Sequence, residues 1–150
     1  MGVYKRVLVA VDFSDFNRLA IKRASLLAQQ DDCVLIMLHV IEHFPLDDGP
    51  LSSVFKYNAE PTDDLAQYVG AKLNELKRTL DYRNVQVEFR ITSKSARHEI
   101  LRFAKAHEVD LIVVAPHGQG IIGTLGSTAT DVLNNANCDV LAVREADEVN

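Results

Sequence analysis

Residues 115–128 read APHGQGIIGTLGST and carry the residue types that hold anions. Gly118, Gly120, Gly123 and Gly126 fall within a short span that ends in Ser127 and Thr128. A glycine-rich turn running into a helix start presents free N–H groups. It lets the backbone approach a ligand closely, and it adds the positive end of the helix dipole. The same residues also read as a plain turn followed by helix-capping side chains, and both readings stand at this level. No Lys or Arg occurs between Lys105 and Arg144, so the loop itself brings no cation to a phosphate.

Other chemistry is thin. His117 has no Ser or Cys nucleophile beside it with a third orienting group, so it reads as a loop residue. His39 lies inside an apolar run and reads as a satisfied core or near-surface histidine, while His43, His98 and His107 read as surface residues. No catalytic residue is assigned. Cys33 and Cys138 each open an apolar run, and no Cys/His cluster has zinc spacing. Buried thiols in a reducing compartment are expected, with no metal site. The lysine-bearing phosphate loop is absent. Gly118, Gly120 and Gly123 match the dinucleotide pattern by letters. That match follows the fourth strand and leaves little chain for a ribose-binding acid, so it is read as chance.

The elements that must position this loop come from the apolar pattern. Residues 5–11 and 33–40 are continuous buried strands, the first ended by Asp12. Between them, Ser14 is a candidate N-cap for a helix facing inward with Phe16, Ala20, Ala24 and Leu27. Residues 42–60 carry Pro45, Gly49 and Pro50 and read as a long loop, of the kind that serves as a mobile lid. Pro61 and Thr62 open a helix with Leu65, Val69, Leu73, Leu76 and Leu80 on one face. Residues 85–91 alternate, which suggests a half-exposed edge strand. Ser95 caps a third helix with Ile100, Phe103, Ala104 and His107 inward. The apolar run 111–115, the glycine loop, a helix facing inward with Ala129, Val132, Leu133 and Ala136, and the apolar run 140–143 close the chain. The alternation of strands and helices predicts an α/β, doubly wound open sheet of five parallel strands with helices on both faces. Ligands of such sheets bind beyond the carboxyl ends of the strands.

The bulk numbers agree with one domain over residues 1–150: 47% apolar, 25% charged, and a net charge of −5. The negative charge speaks against nucleic acid and against an anionic membrane surface. No apolar run approaches the ~20 residues of a membrane span. The opening MGVYKRVLVAVD meets an aspartate early and lacks a cleavage site, so it reads as a strand and the expected location is cytoplasmic.

Taken together, VLVAVDFS, LHVIE, VDLIVVAPHG, GSTATDVL and CDVLAVR resemble the universal stress protein family, in its small single-domain bacterial type, over essentially the whole length. The resemblance implies strand order 3-2-1-4-5. It also implies a homodimer in which the last strands of two subunits meet antiparallel; here that strand covers residues 138–144, from Cys138 to Arg144. The ATP-binding branch carries G-x2-G-x9-G-[ST]. Mapped here, its positions are Ala115, Gly118, and the pair Gly126 and Ser127. The resemblance gives Asp12 and the backbone at Val40 to the adenosine, and Gly118, Gly126, Ser127 and Thr128 to the phosphates. Ala115 stands in place of the first glycine, and seven residues, 119–125, separate Gly118 from Gly126 where the motif has nine. Two residues fewer shorten the reach by up to about 7 Å. That spacing is similar to the branch that binds no nucleotide.

Two readings therefore stand side by side. One is a homodimeric stress-response sensor that binds ATP or a related nucleotide, with Mg²⁺, and turns it over little. The other is an interaction protein of the same fold that binds no nucleotide and acts through its dimer surface. A hydrolase or nucleotidyl-transfer enzyme lacks its lysine and its nucleophile–base pair here.

Overall fold

The computed structural model of the chain describes residues 2–15, 17–43, 63–116 and 126–144. The described elements run β1 (Arg6–Ala10), α1 (Asn17–Gln30), β2 (Val34–Glu42), α2 (Asp63–Arg78), β3 (Val85–Thr92), α3 (Ala96–Ala106), β4 (Leu111–Val114), α4 (Ser127–Asn135) and β5 (Asp139–Ala142). All strand pairings are parallel, and the sheet order is β3-β2-β1-β4-β5, the order the resemblance implied.

Strand β1 sits at the centre because it is apolar on both faces. Val7, Leu8 and Val9 are all fully buried. Burial of each contributes roughly 1.5–3 kcal/mol. Successive side chains enter opposite layers. Val7, Val9 and Val11 pack with Ala20, Ile21 and Ala24 of α1 and Leu73 of α2. Leu8 packs with Ile100 and Phe103 of α3 and with Ala129 and Val132 of α4. Helices α1 and α2 thus cover one face, and α3 and α4 the other.

Several expected details shift. The buried face of α1 is Asn17, Ala20, Ile21, Ala24, Ser25 and Ala28, which makes Leu27 peripheral; Phe16 lies outside the described residues. Leu133 points outward on α4 at 40% exposure, because Ala129 and Val132 already fill the sheet-facing side. Strand β3 is an edge strand as expected, but its alternation is loose. Ile91 is 42% exposed while Thr92 beyond it is buried. Ser95 does cap α3, its Oγ accepting from the His98 N–H at 3.3 Å. Both cysteines are free; Cys33 is buried, whereas Cys138, just before the edge strand β5, is half-buried. The lid-like loop, apart from Glu42 and His43, and the opening pair Pro61 and Thr62 lie outside the described residues.

The strand order reverses between β1 and β4, whose crossover helices leave on opposite faces. The carboxyl ends of β1, β2 and β4 therefore open onto a shared crevice.

Candidate functional site

The crevice is built first by the turn after β1. Asp12 Oδ1 accepts the Ser14 N–H at 2.9 Å and the Ser14 hydroxyl at 2.6 Å, a side chain closing its own turn. Ser14 was expected to cap α1, but its hydroxyl is turned back to Asp12. Asn17, only 2% exposed, ties this turn to the strand. Its Nδ2 donates to the Ala10 carbonyl at 2.8 Å, and its Oδ1 accepts the Asp12 N–H at 3.2 Å. One carboxylate oxygen of Asp12 thus serves the turn. Oδ2 has no protein donor among the described residues.

Phe13 adopts φ 61°, a left-handed conformation uncommon for an aromatic residue. Its ring packs on His39, with centroids 4.5 Å apart, and the Lys72 ammonium lies 4.7 Å from its centroid. His39 Nδ1 stands 2.6 Å from the Val11 carbonyl. A carbonyl only accepts, so Nδ1 carries the proton and the neutral ring keeps Nε2 as an acceptor. Burial pushes the imidazole below its usual value, and Lys72 adds to this, against the Val11 hydrogen bond and the Asp12 charge. His39 is therefore the satisfied strand histidine expected of it.

The second wall is β2. Its ladder with β1 ends at Ala10–Leu38, with the Val11 N–H donating to the Leu38 carbonyl at 2.8 Å. Val40 lies past that stretch, so on the β1 side its backbone has no strand partner.

The third wall is the β4–α4 unit. Ala115 follows β4, and the Pro116 carbonyl accepts the Gly126 N–H at 2.6 Å, fastening the two ends of the glycine loop together. Gly118, Gly120, Gly123 and His117 lie outside the described residues. Gly126 is the N-cap of α4, at φ −69° and ψ 167°, and supplies no side-chain cap. These angles suit any residue, so the backbone here does not require glycine. The N–H groups of Ser127, Thr128 and Ala129 keep no acceptor among the described residues. An uncapped α-helix start of this kind has the polarity to hold an anion.

These walls enclose a cleft of about 320 Å³. Asp12, Val40, Ala115, Gly126, Ser127 and Thr128 all line it, so every proposed site residue but Gly118 comes to one place. Asn17 lines it too and was missed in the sequence. Its signal was a polar residue opening the apolar series 17, 20, 21, 24, 28. No Lys or Arg is among the described lining residues. A larger groove of about 760 Å³ lies between α1 and α2, but helix flanks form most of its walls. It lacks the converging strand ends where ligands of this topology bind. Among the described residues no group of three or more His, Cys, Asp or Glu could hold a metal ion, and no helix is long and apolar enough to cross a membrane.

Comparison with known proteins agrees with this architecture. The model of the universal stress protein family matches residues 3–144. Universal stress protein A homolog 1 of Coxiella burnetii is 36% identical over 143 residues, covering 93% of this chain and 96% of that one. Among solved structures, the universal stress protein UspA from Lactobacillus plantarum superposes with a TM-score of 0.76 at 27% identity, over 94% of this chain and 98% of that one. The universal stress protein from Archaeoglobus fulgidus, solved in complex with dAMP, shares the fold with a TM-score of 0.68 at 19% identity, over 95% of this chain and 99% of that one. The chain belongs to the universal stress protein family.

Proposed function

We propose that this universal stress protein binds an adenine nucleotide in the strand-end cleft and works as a homodimeric, cytoplasmic stress-response sensor with little turnover. The observation that carries the reading is the pairing of opposite polarities across the cleft. Among the described residues the start of α4 has no side-chain cap and is positive, and Asp12 Oδ2 is an acceptor that meets no donor. A nucleotide needs both: hydrogen-bond acceptors for ribose hydroxyls and N–H donors for phosphate. In this reading Asp12 takes the ribose, and the Val40 backbone and Ala115 flank the base. Gly126, Ser127 and Thr128 take the phosphates together with Gly118. ATP would bring Mg²⁺ on its own phosphates, since the described residues offer no carboxylate cluster for it. That a family fold holds dAMP in another protein supports the ligand class. Little turnover is part of this reading because, among the described residues, the titratable groups lining the cleft are Asp12 and His39, which have other roles here.

Titration calorimetry with Mg-ATP and with AMP tests the reading, and saturable binding to the parent is expected. Absence of binding at millimolar ligand would leave the interaction-protein reading, which rests on Ala115 and on the short spacing between Gly118 and Gly126.

The dimer is proposed to form along β5. This strand lies at the sheet edge, and Val140, Leu141 and Ala142 are only half-buried. An apolar edge of this kind favours strand pairing with a second copy. Sedimentation at tens of micromolar should report a dimer, and Ala142→Lys should shift it towards monomer; a monomeric parent would exclude the β5 interface.

A further inference from the structure

Among the described residues the cleft's lining holds no Lys or Arg, yet the fold brings one close to it from an unexpected direction. Arg97 lies in the first turn of α3, directly after Ala96, which lines the cleft. Its Nε stands 3.5 Å from the Asp131 carboxylate on α4, and both side chains are about two-fifths exposed. Asp131 is four residues after Ser127 and three after Thr128. Such residues are neighbours on a helix surface, with Cβ atoms roughly 5–6 Å apart. The guanidinium is therefore held about one helical turn from the two residues whose N–H groups open onto the cleft. Arg side chains are long, and their terminal nitrogens extend beyond the Nε that makes this contact.

The start of α3 is already served by an anion of the protein, because Glu42 Oε1 accepts the Ala96 N–H at 2.7 Å. Asp131 has a second partner in Asn135, whose Nδ2 donates to it at 3.2 Å, so it does not depend on Arg97 alone. Lys94 is exposed in the turn before α3 and makes no ion pair among the described residues. An exposed Arg–Asp pair is worth little, so exchanging it for a phosphate partner costs little. A phosphate offers Arg a bidentate, doubly charged acceptor, which is a stronger partner than one exposed carboxylate.

We propose that Arg97 is the phosphate-binding cation of this cleft, supplied across it from α3 and exchanged from Asp131 to the ligand when a nucleoside phosphate binds at Ser127 and Thr128. The inference rests on the nucleotide reading of the cleft and adds to it a preference: phosphorylated nucleosides over the free nucleoside.

The test compares adenosine with AMP on the parent, Arg97→Gln, Arg97→Lys and Asp131→Asn by titration calorimetry. Arg97→Gln should weaken AMP by roughly 10- to 100-fold and leave adenosine unchanged. Arg97→Lys should recover part of the AMP affinity, since it keeps the charge and loses the fork. Asp131→Asn should strengthen AMP and spare adenosine, because it removes both a competitor and a like charge. If Arg97→Gln weakens both ligands alike, or neither, Arg97 is structural and the inference falls while the nucleotide reading survives. If the parent binds neither ligand, both fall together. A merely structural role would also lower the melting temperature of Arg97→Gln appreciably, whereas loss of one exposed pair should change it little.

Discussion

Gly126→Asp is expected to hold or slightly raise thermal stability while abolishing most of the affinity for nucleoside phosphates. The two effects have one cause. Gly126 is the N-cap of α4 and supplies no side chain to the N–H groups behind it, which have no acceptor among the described residues. Its φ and ψ are those in which Asp caps helices, so the new carboxylate can turn onto those donors without backbone strain. A cap and a favourable dipole interaction are worth from a few tenths to about 1 kcal/mol over glycine. The same carboxylate then occupies the place proposed for the phosphate and repels it, and a loss of roughly 10- to 100-fold or more in AMP affinity follows. Gly126→Asn separates charge from shape, because it caps nearly as well but carries no negative charge, so its loss should be smaller. Melting curves and calorimetry on the three proteins decide the matter. Equal AMP affinity in Gly126→Asp and the parent would place the phosphates elsewhere; a fall of more than about 2 kcal/mol in stability would mean that the residue is too tightly packed to cap.

The fold was legible because its strands are extreme. Val7, Leu8 and Val9 in β1 and Leu111, Ile112 and Val113 in β4 are apolar on both faces, the pattern of strands in a doubly covered parallel sheet, and their alternation with helical segments settles the class. Helix faces were less legible. Leu27 is larger than Asn17 and Ser25, so periodicity of apolar side chains drew Leu27 onto the buried face of α1 and passed over Asn17 and Ser25, while Ala20 and Ala24 were placed correctly. A buried polar residue that is fully hydrogen-bonded looks in sequence like a surface residue.

The site divides in the same way. Gly126, Ser127 and Thr128 could be found because local chain geometry, a helix start, gives them their chemistry. Arg97 was not, because its partner Asp131 is distant in the sequence and on another helix. Asn17 was not, because its partners Ala10 and Asp12, though only seven and five residues away, are backbone groups that leave no side-chain pattern to read. The absence of Lys and Arg between Lys105 and Arg144 concerned only the cations the loop itself could bring. The sheet topology places α3 beside α4, and with it a cation from upstream.

Asn17→Ala is expected to be the most disruptive single change near the cleft that touches no proposed ligand atom directly. Asn17 uses both ends of its amide, donating to the Ala10 carbonyl and accepting from the Asp12 N–H. Truncation leaves a buried donor and a buried acceptor with no replacement partner on the protein. Each such group costs about 1–3 kcal/mol, and the pair together about 2–4 kcal/mol if water reaches one of them through the cleft. Urea denaturation should show that loss, whereas Leu133→Ala on the exposed side of α4 should stay within about 0.5 kcal/mol of the parent. The effect on binding has a distinct signature. Without Asn17 the Asp12 backbone is released at its first anchor, so the carboxylate proposed for the ribose loses its fixed position. Adenosine and AMP should therefore weaken by the same factor, unlike the Arg97→Gln case, in which only the phosphate responds. Asn17→Asp sharpens the comparison. It keeps an acceptor for the Asp12 N–H but loses the donor to Ala10 and buries a second carboxylate beside Asp12. It should be at least as unstable as Asn17→Ala at neutral pH and recover as acid protonates the new group. If Asn17→Ala unfolds no more readily than Leu133→Ala, the two hydrogen bonds do not hold the turn, and Asp12 is positioned by its own bonds to Ser14 alone.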